Sequence, residues 1–376
     1  MPPRVLFVSK PIAAPFHDGS KCLVRDVARH LTRVEATVMA TPGAAPLQAV
    51  PGMQAVRMVA AYGAPGGFTP AFSANLRAAA WLLLRSHADI WHFVFAPNPR
   101  TSSAGRFLRR LRGVPVVQTI ASPPRSFEQP ERLFFGDVLV AQSSWTKSSI
   151  VASYEGQGLR APEVHVIPPP VPDLAPMTAE RLATARQSLG LAPGAPYLLY
   201  PGDLETSSGA EATASMVEHS LDSLPQLTTV FAYRKKSARA VEVATRLAAR
   251  LPADRTRFVA NASDILALVS GAVAVVFPVD DLWGKVDLPI VLLEAMALGT
   301  PVFVLDRGPL CDLGGVVKVP DLSPNAWLSE ITPLLSERAR AADLAARQHT
   351  ALSMYQPGTI ARAYEELYLA LAHRAQ

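Results

Sequence analysis

The sequence predicts an α/β protein with two domains, each built on a parallel sheet that is covered by helices. Short valine-rich runs at 4–9 (RVLFVS), 113–117 (GVPVV) and 272–279 (AVAVVFPV) are typical of strands buried on both faces of such a sheet. Polar loops and amphipathic segments alternate with these runs, as strand–helix–strand units require. A chain of 376 residues with 49% hydrophobic residues can fill two domains of ordinary size.

Composition and charge narrow the classes of protein that the chain can represent. The net charge of +5 suits an acidic ligand or an anionic membrane surface and does not by itself indicate nucleic acid. The sequence has no paired Cys/His set and no basic cluster interleaved with aromatics, so we expect no nucleic-acid partner. The two cysteines, Cys22 and Cys311, lack metal-like spacing. We therefore expect no metal site and a cytoplasmic location.

The first strand, at 4–9, is followed by a predicted helix from about Ser20 to Thr32 and a second strand at 34–40. The next predicted strand, at 88–95 (ADIWHFVF), contains His92. A single histidine in an apolar strand fits either a packed, hydrogen-bonded side chain or a residue of the site. The polar loop that we predict beyond it, from Asn98 to Ser103, is a candidate position for an acceptor.

Residues 103–112 (SAGRFLRRLR) form a predicted amphipathic helix with a strongly basic face. One interpretation is a solvated helix face. The other is that the segment Arg106–Arg112 makes a peripheral contact with anionic lipid headgroups, which would place the protein at the inner face of the membrane. The loop 121–132, which contains Ser122, is long enough to suggest a functional role on the acceptor side.

A proline-rich linker and a sheet edge organise the second half of the chain. Four prolines between 168 and 172 predict a stiff linker, so we place the end of the first domain at residue 172. Beyond the strand at 272–279, Asp287 is the predicted N-cap and Gly299 the stop of a helix at 288–298. Its N-terminus should lie at the carboxyl end of a strand, where exposed amides favour an anion such as a diphosphate.

Glu294 is the only charged residue of this otherwise apolar helix, and it fits either a ligand contact or the rim of a packed helix. Residues 285–302 (KVDLPIVLLEAMALGTPV) resemble the signature of GT-B glycosyltransferases, especially family four, which reads E-x-F-G-x-x-x-x-E-A-M-A-x-G-T-P-V. Glu294 falls on the second Glu of this pattern. In that family the second Glu hydrogen-bonds the ribose hydroxyls of the nucleotide sugar.

The first half of the motif departs from the family pattern. Val286 stands where the first Glu, which contacts the transferred sugar, is found in the family. Leu288 and Pro289 stand in place of Phe and Gly. Lys285 and Asp287 flank the missing acid, and we take both as candidate catalytic residues that substitute for it.

The resemblance extends to two loops with a candidate role at the donor. The loop 17–21 (HDGSK) is similar to the family's first glycine-containing loop, so Gly19 is a candidate donor contact, although a turn with a helix cap explains it equally. The segment 201–209 (PGDLETSSG) is similar to G-R-L-x-x-x-K-G and supplies Gly202. In this segment Asp203 and Ser208 replace the Arg and Lys that neutralise the diphosphate in the family.

A bound diphosphate requires a nearby cation, and the run after the strand at 228–232 offers three. Of these, Arg234 and Lys235 are our candidates for donor binding, with Lys236 beside them; the alternative is a solvated basic turn. His92 matches the first His of the family's D-V-V-H-x-H strand, which makes it a candidate catalytic residue.

The resemblance implies the GT-B fold: two Rossmann-like, doubly wound parallel-sheet domains facing an interdomain cleft, with a C-terminal crossover helix. The expected domains are 1–172 on the acceptor side, 173–354 for the nucleotide sugar, and 355–376 as the returning helix. The implied reaction is retaining, metal-independent transfer of a sugar from a nucleotide-sugar donor, without a cofactor.

Within that reaction, the amides of Leu288, Pro289 and Ile290 would stabilise the leaving diphosphate while Glu294 holds the ribose. Asn98 and Ser122 are the candidate acceptor contacts. Two other classes stay open: a ligand-binding relative that kept the fold and lost the chemistry, and a membrane-associated scaffold.

Overall fold

The computed structural model describes residues 1–14, 16, 18–63 and 71–374. Contacts divide the chain into two compact units. The first comprises residues 1–172, 283–290 and 354–376, and the second comprises 173–282 and 291–353. The short segment 283–290, which contains five of the candidate site residues of the central motif, therefore belongs to the first unit.

Thirteen strands occur in the described part of the chain. In order they are β1 (Arg4–Val8), β2 (Glu35–Ala40), β3 (Arg57–Ala60), β4 (Ile90–Phe95), β5 (Val116–Ile120), β6 (Val138–Ala141), β7 (Glu163–Val166), β8 (Tyr197–Tyr200), β9 (Thr228–Tyr233), β10 (Thr256–Ala260), β11 (Ala274–Phe277), β12 (Val302–Leu305) and β13 (Val317–Val319).

The α-helices of the described residues alternate with these strands over most of the chain. They are α1 (Gly19–Arg29), α2 (Phe72–Arg85), α3 (Pro99–Arg112), α4 (Pro130–Leu133), α5 (Ser144–Glu155), α6 (Ala179–Ser188), α7 (Gly209–Ser220), α8 (Ala238–Arg250), α9 (Ile265–Ser270), α10 (Ile290–Ala297), α11 (Pro324–Ser336), α12 (Arg338–Ala351) and α13 (Pro357–Arg374). Short 3-10 helices lie at Gly308–Asp312 and Leu352–Tyr355.

Each unit contains one sheet in which every paired strand is parallel. The first sheet has the order β3-β2-β1-β4-β5-β6-β7, and the second has the order β10-β9-β8-β11-β12-β13. In both, the first strand of the unit lies in the interior and the order reverses beside it, which is the doubly wound arrangement. The predicted α/β fold with two parallel-sheet units is confirmed.

The first sheet is covered on both faces, and β1 shows how the alternation of side chains achieves this. Val5 and Phe7 pack into a cluster formed with α1 and α13, whereas Leu6 packs on the other face with residues of α2 and α3. Because successive side chains of a strand point to opposite faces, a continuous apolar run is needed to bury both. The valine-rich strands of the sequence have this role.

Polar side chains begin several helices of the first unit. Asp18 accepts from the amide of Ser20 at 2.9 Å to cap α1, and Asn98 accepts from the amide of Thr101 at 3.0 Å to cap α3. Pro99 occupies the first position of α3, where its missing N–H costs nothing. The predicted polar loop from Asn98 to Ser103 is therefore wrong: its residues after Asn98 are the first turns of α3.

Helix α13 is fastened to the first unit by one buried carboxylate. Glu365 is fully buried and accepts hydrogen bonds from the amides of Thr32 and Arg33, which lie in the turn between α1 and β2. Two further side chains of α13, Tyr364 and Tyr368, are buried against β4. The C-terminal helix is thus a component of the core of the first unit.

Helix α10 of the central motif runs from Ile290 to Ala297, so it begins two residues later than predicted. Gly299, at φ +74°, adopts the left-handed conformation that favours glycine, and the predicted stop of the helix is confirmed. The connection to β12 is held by the buried Gln348, which accepts from the amide of Val302 at 2.8 Å and donates to the carbonyl of Thr300 at 2.9 Å.

Candidate functional site

The loops after β8, β9 and β11 bring candidate site residues together at one edge of the second sheet. These three strands are neighbours in the order β9-β8-β11, and the order of the sheet reverses between β8 and β11. In open parallel sheets, ligands bind at the carboxyl ends of the strands beside such a reversal. The site that the sequence predicts around 201–209 therefore lies in a position that suits ligand binding.

Gly202, a predicted donor contact, lies beneath an aromatic ring. A Cβ atom placed on Gly202 would approach Cζ of Tyr200 to 2.3 Å, and the Tyr200 hydroxyl donates to the carbonyl of Asp203 at 2.8 Å. Tyr200 is fully buried, and burial raises the pKa of its hydroxyl well above the ordinary value. The absence of a side chain at 202 is thus required by packing, and this requirement is independent of any ligand.

The carboxylate of Asp203 is neutralised within the protein. The ammonium of Lys236 lies 2.9 Å from Oδ2 of Asp203, and both side chains are largely buried. Beside this pair, the hydroxyl of Ser237 donates to Oε1 of Glu205 at 3.0 Å. The acidic residue that replaces the family's arginine is therefore balanced by the neighbouring loop after β9, and Lys236 is engaged in doing so.

The two predicted donor-binding cations differ in exposure. Arg234 is partly buried, whereas Lys235 is exposed and its ammonium makes no ion pair with another residue of the described chain. The backbone amide of Lys235 donates to Oδ1 of Asn261 at 3.1 Å, which fixes the turn. Asn261 has a φ of 51°, a left-handed conformation that asparagine tolerates better than most residues. Lys235 is thus a positive charge on an ordered turn at this edge.

The N-terminus of α7 is already occupied by a carboxylate of the protein. The amide of Ser208 donates to Oδ1 of Asp280 at 2.9 Å, which joins the loop after β8 to the loop after β11. A negative side chain at this position is favourable because of the helix dipole. One amide at the start of α7, that of Ser208, is consequently taken up by Asp280.

Asp287 does not cap α10, so the predicted N-cap is wrong. The helix begins at Ile290, three residues later, and the fully buried Asp287 instead accepts a hydrogen bond from the hydroxyl of Ser143 at 2.8 Å. Ser143 also caps α5 by accepting from the amide of Thr146 at 3.1 Å. Asp287 therefore ties the segment 283–290 to the start of α5 within the first unit.

Of the three residues predicted to offer amides to a diphosphate, only two can do so. Leu288 and Ile290 carry an N–H group, whereas Pro289 has none. All three side chains are buried, and Lys285 before them is partly buried. Pro289 therefore cannot donate an amide hydrogen bond to a diphosphate, and its part in donor binding stays a prediction.

Val286 fills the position of the missing first Glu with apolar packing. It forms a small cluster with Cys22 and Ile290, against which Phe16 also packs. A Cβ atom on Gly19, the first residue of α1, would lie 3.0 and 3.1 Å from the two γ-carbons of Val286. Gly19 is thus in close contact with Val286; His17 of the same predicted loop lies outside the described residues.

Glu294 is placed on the second turn of α10 and is partly buried. The residues on either side of it in sequence, Leu293 and Ala295, are fully buried. A carboxylate at the boundary between a buried helix face and solvent suits a hydroxyl-bearing ligand better than it suits packing. The part of Glu294 in donor binding stays a prediction.

His92 is enclosed in the core of the first unit. Nε2 lies 2.7 Å from the hydroxyl oxygen of Thr119, and Nδ1 lies 2.7 Å from the hydroxyl oxygen of Tyr368. A neutral imidazole satisfies both contacts, with one ring nitrogen donating and the other accepting. Burial lowers the pKa of His92 from 6.5 to about 3. This geometry favours a structural role over the catalytic one.

The two candidate acceptor residues also have different surroundings. Asn98 is exposed, and besides capping α3 its Nδ2 donates to Oγ1 of Thr101 at 3.0 Å. Ser122 is buried directly after β5, at the carboxyl end of that strand. The structure accounts for Asn98 as a helix cap, and its part in acceptor binding, like that of Ser122, stays a prediction.

Sequence reasoning missed Ser143 and Tyr200. Ser143 carries a local signal, since a serine before an amphipathic segment predicts a cap, but its bond to Asp287 spans 144 positions and leaves no local trace. Tyr200 is the last residue of an apolar strand, and nothing in its neighbourhood indicates that its ring covers Gly202.

A groove of about 940 Å³ lies elsewhere in the first unit. Pro115 and Asp137, which line it, precede β5 and β6, so the groove opens at the amino ends of these strands. This is the opposite edge from the one where ligands bind in such sheets. We therefore do not assign the groove to the donor.

The described residues contain neither a metal cluster nor a helix that could span a membrane. Within residues 1–14, 16, 18–63 and 71–374, no group of three or more His, Cys, Asp and Glu side chains is arranged to hold a metal ion. No helix in these ranges is long and apolar enough to cross a membrane.

A family model and several solved structures match the chain. Residues 183–348 match the model described as glycosyl transferases group 1, and this segment includes β8, Lys235, α10 and Glu294. Among curated proteins, none matched.

The similar solved structures cover nearly the whole chain. HepE of Anabaena, solved with UDP and glucose, has a TM-score of 0.72 and 16% identity, with 98% of this chain and 100% of that chain covered. The α,α-trehalose 6-phosphate synthase of Burkholderia multivorans has a TM-score of 0.67 and 15% identity, with coverage of 100% and 98%. WaaG, a glycosyltransferase involved in lipopolysaccharide biosynthesis, has a TM-score of 0.64 and 16% identity, with coverage of 96% and 99%.

The class of the protein follows from the fold and the motif together. The strand order of both sheets and the similarity over the whole length define the GT-B fold. Residues 183–348 match the glycosyl transferases group 1 model, and the chain as a whole has the fold of the GT-B glycosyltransferases.

Proposed function

We propose that the protein transfers a sugar from a nucleotide-sugar donor to an acceptor, with retention of configuration and without a metal ion. The single observation that carries the proposal is the position of Glu294. It lies on a helix that follows the carboxyl end of β11 beside the reversal of strand order, inside the segment that matches the family model. HepE, which shares the fold, was solved with UDP and glucose.

The proposed roles follow from the charge that develops on the leaving diphosphate. In the second unit, the exposed ammonium of Lys235 stabilises this charge, with Arg234 as the further cation. In the first unit, the amides of Leu288 and Ile290 and the side chain of Lys285 stay predicted donor contacts. Glu294 accepts hydrogen bonds from the ribose hydroxyls. Carboxylate–hydroxyl hydrogen bonds are among the stronger ones, which makes Glu294 the residue on which nucleotide affinity depends most.

The test is a turnover assay on a panel of nucleotide sugars, without acceptor and with candidate acceptors. We expect the wild-type protein to release nucleoside diphosphate from at least one donor, and Glu294→Gln to lose most of that rate. Glu242→Gln is the matched control, because Glu242 is an exposed carboxylate on α8 and its side chain makes no hydrogen bond or ion pair with another described residue. Unchanged turnover in Glu294→Gln contradicts the proposal.

Retention of configuration and independence from metal ions are each tested by a separate measurement. The anomeric configuration of the product, measured by NMR, is expected to equal that of the donor, and inversion contradicts retention. A chelator is expected to leave the rate unchanged, and loss of the rate with recovery on adding a divalent ion contradicts metal independence.

A second candidate function is a ligand-binding relative without turnover. The observation that favours it is the apolar contact between Val286 and Gly19, which leaves no carboxylate at the position that contacts the sugar in the family. This candidate predicts that nucleoside diphosphates bind in calorimetry while no donor of the panel is turned over. Turnover of any donor rules it out.

The acceptor side of the proposal includes a lipid-linked substrate presented at an anionic membrane. The basic segment Arg106–Arg112 lies in α3, and the N-terminus of this helix directly follows the loop after β4. A peripheral contact of this helix with lipid would bring an acceptor close to the carboxyl ends of the first sheet, where we place Asn98 and Ser122.

A further inference from the structure

Two neighbouring helices of the first unit expose large apolar side chains to solvent. On α2 these are Phe72, Leu76 and Leu84, and on α3 they are Phe107 and Leu111; their exposed fractions lie between 55% and 79%. With the exposed Ala80, the α2 residues are spaced four apart, so they form one stripe along the helix. Single exposed apolar residues are ordinary, but a contiguous set usually marks an interaction surface.

The two stripes belong to one surface because the helices are fastened side by side. The guanidinium of Arg112, at the end of α3, donates to the carbonyls of Leu83 and Ser86 at the end of α2, at 2.8 and 2.7 Å. Leu82 and Leu108 point to the other side and are buried in the same core cluster. The exposed stripes therefore face away from the sheet. We call the exposed side chains of the two helices the α2–α3 surface.

The charge of the α2–α3 surface has one sign. Helix α2 carries two arginines and α3 carries five, and neither contains Asp or Glu. Three of the seven are engaged: Arg106 with the carbonyls of Glu131 and Phe134, Arg109 with Asp137, and Arg112 with α2.

The other four arginines face solvent. They are exposed and make no hydrogen bond or ion pair with another residue of the described chain: Arg77, Arg85, Arg100 and Arg110. The segment Arg106–Arg112 thus uses most of its charge inside the unit, and α2 supplies a large share of the charge and most of the apolar area of the surface.

We propose that the α2–α3 surface binds an anionic lipid bilayer, with its apolar stripes at the headgroup–acyl boundary and its four exposed arginines on lipid phosphates. Apolar side chains bordered by cations and lacking acids are the signature of helices that lie in the membrane interface. A second copy of the chain is a poor occupant, because a two-fold contact would place arginines against arginines. Nucleic acid would engage the arginines and leave the leucines in water.

This docking surface deepens the proposed function by naming the partner that presents the acceptor, and in that respect it rests on the proposed function. The binding step itself does not involve the donor. It is therefore measured without turnover, and the two proposals fail separately.

The test is flotation of the full-length protein with vesicles of phosphatidylcholine alone or mixed with phosphatidylglycerol. An apolar variant carries Leu76→Ser, Leu84→Ser and Phe107→Ser, and a charge variant carries Arg77→Ser, Arg85→Ser and Arg110→Ser. The matched control carries Arg239→Ser and Val241→Ser, an exposed arginine and an exposed apolar residue on α8 of the second unit. All substituted side chains are exposed, so thermal unfolding should show that the variants stay folded.

We expect the wild-type protein and the control to float with phosphatidylglycerol vesicles and not with phosphatidylcholine alone. The charge variant, which lacks three arginines, should bind about 200-fold more weakly, since each arginine near an anionic surface contributes roughly a sixfold factor. The apolar variant should bind at least about tenfold more weakly at the same salt concentration. Raised salt should weaken the binding of the wild type.

Several outcomes overturn the proposal. The first is that the folded wild type does not float with the vesicles, and the second is that the apolar variant binds as well as the wild type. The third is that the wild type forms a dimer in analytical ultracentrifugation and the apolar variant does not. Donor hydrolysis measured in the same samples separates the two proposals. Lipid binding without hydrolysis by any variant contradicts the transferase activity and leaves the docking surface in place.

Discussion

The two sheets begin with the same arrangement of four strands, but the carboxyl ends of these strands carry different chemistry. In the first unit, His92 lies in the middle of β4 and is sealed by tyrosines of α13, and the segment after β1 holds the Lys10–Asp18 ion pair and the apolar contact between Gly19 and Val286. In the second unit, β10-β9-β8-β11 leads to the Asp203–Lys236 pair. The first unit thus combines one ion pair with apolar packing, whereas the second has an ion pair with the exposed Lys235 beside it.

This difference shows that strand order determines where a ligand can bind, whereas side chains decide what can bind there. The edge of the second sheet carries charged side chains, which can interact electrostatically with a charged ligand. In the first unit, the middle of β4 holds a neutral histidine among aromatic rings. We therefore propose the second sheet, with its charged groups, as the place where the nucleotide binds.

The largest expected effect is on the charged edge, from Lys236→Met. The change leaves the carboxylate of Asp203 largely buried without its cation, and breaking a buried pair in this way costs about 3 kcal/mol or more of unfolding free energy. Urea denaturation, followed by tryptophan fluorescence, measures the loss.

Lys235→Met is the matched control, because Lys235 is the exposed neighbour and its loss should change the unfolding free energy by less than about 0.5 kcal/mol. Adding Asp203→Asn to Lys236→Met should recover part of the stability. Equal effects of the two lysine substitutions would mean that the Asp203–Lys236 pair is not buried in solution, and the contrast between the edges would weaken.

The next effect concerns how the unfolding free energy depends on pH through the buried His92 of the first unit. Burial holds the pKa of His92 at about 3, below the ordinary 6.5, so between these values the unfolded chain binds a proton that the folded chain does not. Stability from His92 is therefore full above pH 6.5 and falls as the pH drops toward 3. We expect a loss of about 2 kcal/mol at pH 5 relative to pH 8.

His92→Phe removes this titration, so its unfolding free energy should be lower at pH 8 but should fall less on going to pH 5. The other histidines are shared by the two proteins, and the difference between the two slopes isolates His92. If the unfolding free energy of the two proteins fell equally between pH 8 and pH 5, the folded protein would tolerate a charged His92. The surroundings of His92 would then be open to water.

The smallest effect tests the contact that closes the first edge. Gly19→Ala places a methyl group 3.0 to 3.1 Å from the γ-carbons of Val286, and we expect a loss of about 1 kcal/mol in unfolding free energy. Val286→Ala in the same chain should remove most of this penalty, and the coupling is read from a double-mutant cycle.

Gly63→Ala serves as the control, because a Cβ atom there has no neighbour within 4 Å among the residues that the structure describes. It should change the unfolding free energy by less than about 0.5 kcal/mol. Additive effects of Gly19→Ala and Val286→Ala on the unfolding free energy would show that the two residues do not touch. Val286 would then not pack against Gly19.

The sequence predicted the strands well because a strand buried on both faces must be apolar throughout. The runs at 4–9 and 88–95 correspond to β1 and β4 with differences of one or two residues. Helix α8 was missed, since its alternation of alanine, valine and arginine follows a basic turn and offers no apolar run. The start of α3 was missed for a similar reason, because its first turns are polar and proline-led.

The site was predictable only where its signal is local. Glu294 lies within eleven residues that match the family motif almost letter for letter, and a short pattern suffices to find it. The bond between Ser143 and Asp287 and the contact between Gly19 and Val286 join residues far apart in the chain. Their geometry depends on how the unit folds, so no local pattern contains it.

The central claim is that Glu294 holds the ribose of a bound nucleotide, and calorimetric titration with UDP and the other nucleoside diphosphates tests it most directly. We expect the wild type and Glu242→Gln to bind one of these ligands with equal affinity and Glu294→Gln to bind it at least about tenfold more weakly. Equal affinity of Glu294→Gln and the wild type, or no binding of any nucleoside diphosphate by the folded wild type, would contradict it.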